Sequence, residues 1–189
     1  MRHLRWLVAV GALTSMVSTL CPARAQDAGT FTSRLRLFVS SAPPDWRGAD
    51  EDAGELLGTT PGTVTLPAGQ AITIEPSGVA VDADVAVFVA DAATLTAPLR
   101  LGMQFSDVTD ASLDALVPLH NLVGLDLTDT AVSDAGMEVV AELTSLAELW
   151  VPEGVTDQGV QALAPLKGLR AEWPALKASR LGGGPCRNV

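Results

Sequence analysis

Residues 98–168 repeat themselves, and that periodicity limits the possible folds more than any other feature of the chain. Three segments align, 98–121, 122–145 and 146–168, with lengths of 24, 24 and 23 residues. Leu101, Leu125 and Leu149 form one column, and Met103, Leu127 and Val151 form another two residues on. Val108, Val132 and Val155 form a third, each followed by Thr or Ser and then by Asp110, Asp134 or Asp157. Leu116, Val140 and Leu163 recur, as do Leu119, Leu143 and Leu166. The two-residue step between the first columns puts both side chains on one side of a short strand. Met137, Val140 and Leu143 then follow at near-helical spacing. The Thr/Ser-Asp pair between them offers a side-chain oxygen to the unpaired N–H groups of a helix start, so the Asp column reads as helix capping rather than as a metal site. Each unit is strand, turn, helix and return, and none can bury its apolar face alone. Stacked units bury a continuous core, which predicts an α/β solenoid with a parallel sheet on the concave face and helices on the convex face.

The helix starts carry a further signal. Ser133-Asp134-Ala135-Gly136-Met137 and Thr156-Asp157-Gln158-Gly159-Val160 resemble the leucine-rich repeat family, in its bacterial secreted form with Thr-Asp-x-Gly-Leu-like helix starts. Thr109-Asp110-Ala111-Ser112-Leu113 departs from that pattern at Ser112, and Thr130 stands where other subtypes carry asparagine. The resemblance covers residues 98–168, with a weaker extension to 176. It implies a short solenoid and, since members of the family mostly bind proteins through the concave sheet, a protein- or peptide-binding role.

The flanks read differently. Arg2 and Arg5, an apolar run from Trp6 to Leu20 and the triplet Ala23-Arg24-Ala25 predict a signal peptide over 1–25, cleaved before Gln26. Residues 26–97 are expected to form a β-rich N-terminal cap over the first apolar edge of the repeats. Within it, Phe31 to Ser40 alternates as one strand does, and the Pro-, Gly- and acid-rich stretch 42–55 suits an exposed loop. Thr63–Leu66 and Ala71–Ile74 flank Pro67-Ala68-Gly69-Gln70 and predict a β-hairpin over 63–74, with Val64, Leu66, Ile72 and Ile74 on one face. Residues 82–95 fit either strand or helix by periodicity. Counting back 24 residues sets Val89 under Leu113 and Leu95 under Leu119, which favours a degenerate repeat helix over 82–95, capped near Asp82. The repeats and a C-terminal closure occupy 98–176. At that end Leu169 opens a fourth strand with Glu172 in the inward column, and a frayed basic tail occupies 177–189.

Composition bounds the chemistry. Of the 189 residues 22 are acids and 12 bases, a net charge of −10 that argues against a nucleic-acid partner. Removing residues 1–25 leaves one His, His120, and one Cys, Cys186, too few for a Cys/His metal site or an intrachain disulfide, and the chain lacks the His pairs and nucleophile settings of hydrolase sites. No cofactor motif and no later membrane-spanning run is present, so the expectation is a non-enzymatic, secreted or periplasmic protein without cofactor or metal. The outward strand positions supply the candidate site. Gly102, Asp126, Trp150 and position 173 share one column of the concave face, and Arg100, Gly124, Glu148 and Ala171 the next. Arg100, Gln104, Asp126, Thr128, Asp129, Glu148, Trp150 and Glu153 are the candidate protein-binding residues. An aromatic among carboxylates suits a protein or peptide with an apolar anchor and a basic rim. The competing expectation is a structural or envelope-associated repeat protein that meets an anionic surface through Lys177, Arg180 and Arg187.

Overall fold

Alternation of apolar and polar residues builds most of a seven-stranded sheet ordered β3-β2-β5-β6-β7-β8-β9. The computed structural model describes residues 27–42 and 55–172. The expected signal peptide, most of the acidic loop, Trp173 and the basic tail lie outside the described residues. The strands are β1 (Asp27–Thr32), β2 (Leu37–Ala42), β3 (Leu56–Thr59), β4 (Thr63–Pro67), β5 (Ala71–Pro76), β6 (Leu99–Gly102), β7 (Leu122–Asp126), β8 (Glu148–Trp150) and β9 (Arg170–Glu172). Helices α1 (Asp82–Ala92), α2 (Asp134–Val140) and α3 (Asp157–Ala162), with a 3-10 helix at Asp110–Leu116, connect the later strands. β5 to β9 run parallel, while β2 and β3 join antiparallel at one side. The fold is therefore mixed α/β with a mostly parallel sheet.

The expected leucine columns stand in register: Leu101 pairs with Leu125, and Leu125 with Leu149. All three join Phe88, Leu113, Met137 and Val140 in one buried core between sheet and helices. The turns after β6 and β7 also repeat. Phe105 and Asp129, 24 residues apart, both take the left-handed region, with φ of 58° and 53°.

The helix starts differ from the expectation in an informative way. The hydroxyls of Thr109, Ser133 and Thr156 cap their own helices, accepting from the backbone N–H of Ala111, Ala135 and Gln158. The aspartates that follow Thr109 and Ser133 reach across to the next unit instead. Asp110 accepts from the N–H of Ser133 at 2.8 Å and from its hydroxyl at 2.6 Å. Asp134 holds Thr156 in the same way, and Asp82 holds Thr109. Thr109's amide, then its hydroxyl, hold the Asp82 carboxyl below the ordinary Asp value. Gly136 and Gly159 make room for these carboxylates: a Cβ at Gly159 would stand 2.5 Å from Asp134 Oδ1. The motif thus acts twice, capping within a unit and fastening between units. At Ser112, where the glycine is missing, the helix is wound as 3-10 rather than α.

Residues 82–92 are helical, which settles the ambiguity of that stretch, although the helix stops three residues short of the expected 95. Val81 occupies the N-cap position. The count back of 24 holds at the helix end, where Leu95 N–H bonds Ala92 just as Leu119 N–H bonds Leu116. It fails at the start, because Asp82 lies 28 residues before its counterpart Asp110. The four extra residues make about one helical turn, so the buried face is kept, now through Val85, Phe88 and Ala92.

Two expectations for the cap are corrected. The hairpin over 63–74 does not form. β4 pairs with β1 in a separate two-stranded sheet, and β5 pairs with β2 and β6. The Pro67–Gln70 corner carries the chain from one sheet to the other, with Gly69 at φ 74°. Val64, Leu66, Ile72 and Ile74 are all buried as expected, but they come from two sheets contributing to one core. The single strand from Phe31 to Ser40 is likewise broken between Thr32 and Leu37. There the ladder groups turn to side chains: Leu37 N–H donates to Thr60 Oγ1, whose hydroxyl donates to Leu35 C=O, and the Ser33 hydroxyl donates to Asp91. At the far end β9 is shifted by one residue from the expected register. Ala171, not Glu172, pairs with Leu149, and Glu172, not Trp173, pairs with Trp150.

Candidate functional site

The residues between the buried leucines point away from the helices, because side chains alternate along a strand. Register aligns Gly102, Asp126, Trp150 and Glu172 in one row across the sheet, and pairs Phe38 with Glu75, whose side chain lies over Gly102. Leu56, Ser40, Thr73, Arg100, Gly124, Glu148 and Arg170 form the next. Arg100, Asp126, Glu148 and Trp150 are thereby brought together as the sequence columns imply. Gln104 joins them from just beyond β6. Thr128 and Asp129 follow β7, and Glu153 is exposed after β8.

Two glycines shape this face. The Arg100 side chain lies over Gly124, where a Cβ would stand 2.8 Å from Arg100 Cγ, and its Nε donates to Glu148 Oε2 at 3.0 Å. Glu75 lies over Gly102, where a Cβ would stand 2.9 Å from its Oε1. That oxygen accepts from Gln104 Nε2 at 3.0 Å. Long polar side chains spread flat over these gaps. Arg100 is 7% exposed and Asp126 6%, although both are charged types on a helix-free face.

Asp126 is the electrostatically costly member. Its Oδ1 accepts from the N–H of Thr128 at 2.8 Å. Burial pushes its carboxyl above the ordinary Asp value. Hydrogen bonds from Thr128 oppose the rise, and the negative charges of Glu75 and Asp129 add to it. Among the described residues no cation forms an ion pair with it, since Arg100 is committed to Glu148. A carboxyl with a raised folded-state pKa holds its proton longer than in the unfolded chain, so the fold loses stability as pH rises through that pKa. Asp126→Asn keeps an acceptor for Thr128 and should raise Tm at pH 7, with the gain fading as pH falls below the folded-state pKa. Thermal melts across that range check it. A Tm at pH 7 below that of the wild type would show that the charge is stabilising.

Thr73, Glu75, Phe38 and Leu56 belong to the face and were missed. Their signal was present, since Thr73 and Glu75 alternate with Ile72 and Ile74. Setting β5 in a hairpin removed it from the edge of β6. A separate cleft of about 350 Å³ lies on the helix side between Leu35, Leu37, Phe88, Leu101 and Met103, with Arg36 and Asp84 in its lining. Among the described residues no group of three or more His, Cys, Asp or Glu is placed to hold a metal. None of their helices is long and apolar enough to cross a membrane. His120 is exposed in the turn before β7. No protein-family model matches the chain, and no curated protein matches it in sequence.

Proposed function

We propose that this chain is an exported, non-catalytic leucine-rich-repeat-like solenoid module that holds a protein or peptide on the sheet face turned away from its helices. The observation that carries the reading is the alignment of half-buried Trp150 beside Asp126 on adjacent strands, within a field of Glu75, Glu148 and Asp129. Aromatic residues anchor interfaces through contact area, and surrounding charge of one sign steers a complementary partner. The Asp carboxylates that fasten successive units support the solenoid reading, because they give each unit a specific grip on the next. A binding role is favoured over catalysis because the raised pKa of Asp126 is accounted for by burial and like charge.

The test is selection of a displayed random peptide library on the purified chain, followed by titration of the selected peptides. Trp150→Ala should weaken them about 30-fold, the hot-spot threshold expressed as an affinity ratio. Its fold should persist, since Trp150 lies outside the leucine core. Selected peptides that bind Trp150→Ala and wild type equally would remove the face as the binding site.

A further inference from the structure

We infer that this face is built for an extended peptide carrying a Lys or Arg side chain, with Thr73, Arg100 and Gln104 reading its main chain and Asp126 and Glu75 receiving its basic head. The inference rests on the peptide-binding reading above and specifies its ligand. Three buried side-chain atoms among the described residues have no hydrogen-bond partner: Thr73 Oγ1, Arg100 Nη1 and Gln104 Oε1. A buried polar atom left without a partner is destabilising, and folded proteins keep few of them. Here all three fall on one patch. Thr73 and Arg100 are register partners on β5 and β6, 3% and 7% exposed. Gln104 folds back over Gly102, its Oε1 2.6 Å from where a Cβ there would stand.

The chemistry of the three atoms is complementary to a peptide group. Arg100 Nη1 lies on the β7 side of β6, where the side chain crosses Gly124 towards Glu148, and the Thr73 hydroxyl is on β5, so the two donors suit separate carbonyl oxygens. Gln104 Oε1 is an acceptor, suited to an N–H. An extended chain presents same-facing groups every two residues, about 6.7 Å, which matches the step along β6 from the Arg100 row to the Gly102 row. Gly102 and Gly124 let Glu75, Gln104 and Arg100 lie flat against the strands, so the polar groups form a low surface rather than standing up from it. An anionic ligand does not fit, because Glu75, Asp126 and Glu148 flank the donors.

The charge pattern specifies the side chain. Asp126 is buried with no ion-paired cation among the described residues, and Glu75 and Asp129 both add negative charge to its surroundings. Trp150 stands opposite it on β8. Two carboxylates that feel each other's charge, one of them with an indole on the next strand, favour an ammonium or guanidinium head, through ion pairing and the negative face of the ring.

The experiment uses labelled, acetylated and amidated hexapeptide pools with one central position fixed as Arg, Lys, norleucine or Glu, titrated onto the full chain by fluorescence anisotropy. The Arg and Lys pools should bind at least about tenfold tighter than the norleucine pool, the scale of one charge-assisted hydrogen bond, and the Glu pool weakest. Thr73→Val should weaken every pool roughly fivefold and leave the Arg-to-norleucine ratio unchanged, while raising the Tm of the free chain by removing an unsatisfied hydroxyl. Asp126→Asn should collapse that ratio towards one and leave the norleucine pool unchanged. Equal binding of the Arg and norleucine pools overturns the proposal. So does Thr73→Val without effect on any pool, which assigns the unpaired atoms to water. Failure of the broader reading has another signature, since library-selected peptides would then ignore Trp150→Ala.

Discussion

Leu125→Ala should lower the unfolding free energy by about 2–5 kcal/mol, the range for emptying a well-packed leucine site. Leu125 sits on β7, the middle strand of the five parallel ones, and is 0% exposed. Its register partners on either side are Leu101 and Leu149, both buried. Truncation removes the transfer free energy of the lost methyl groups and leaves a cavity. The site has little means to collapse into it, because β6 and β8 are hydrogen-bonded to β7 on both edges and their helices are fastened by Asp110 and Asp134. Urea unfolding at pH 7, followed by far-UV circular dichroism, gives the value. A loss below about 0.5 kcal/mol would mean that this column is not the core. The neighbour Asp126 provides the control, since Asp126→Asn on the opposite face is expected to act with the other sign.

What was legible in the sequence is what repeats locally. The register of Leu101, Leu125 and Leu149, and the placing of Asp126 beside Trp150, follow from a constant unit length and the two-residue period of a strand. Thr109, Ser133 and Thr156 as helix starts follow from cap chemistry. Partner choice was not legible. The corner at Pro67–Gln70 announces a change of direction, yet whether β5 then pairs with β4 or with β6 depends on residues far away in the chain. That single choice hid Thr73 and Glu75, and with them two of the five residues assigned to the peptide seat. The Asp column shows the same limit. A carboxylate at the first helical position can reach its own helix or the next unit, and only the offset between units decides. At β9 the leucine pattern ends, so nothing in the sequence distinguishes Ala171 from Glu172 as the register partner of Leu149 until the strand is paired.

The glycine of the helix-start motif should be as intolerant as the leucine column. Gly136→Val is expected to cost about 3 kcal/mol, the upper part of the range for overpacking a close-packed site. A Cβ at Gly136 would overlap Asp110 Oδ1, and would stand 2.7 Å from Val132 Cγ1 and 2.9 Å from Leu113 Cδ1. Asp110 cannot retreat without releasing both of its bonds to Ser133. Helix propensity works the other way, because an interior glycine is disfavoured by about 1 kcal/mol relative to alanine. A substitution judged on propensity alone would therefore be expected to stabilise. The sign of the measured change separates the two effects. Gly136→Ala isolates the contact further, since it adds the Cβ and nothing else. If the Asp110 carboxylate is the obstacle, Gly136→Ala should be less harmful beside Asp110→Ala than alone. Directly touching residues couple by about 0.5–3 kcal/mol, within reach of a double-mutant cycle on urea unfolding. Additive losses would show that Val132 and Leu113, not the aspartate, set the requirement for glycine. A coupling in the expected direction would explain why the residue two places after the aspartate is glycine in α2 and α3, and why the unit that carries Ser112 there winds its helix as 3-10.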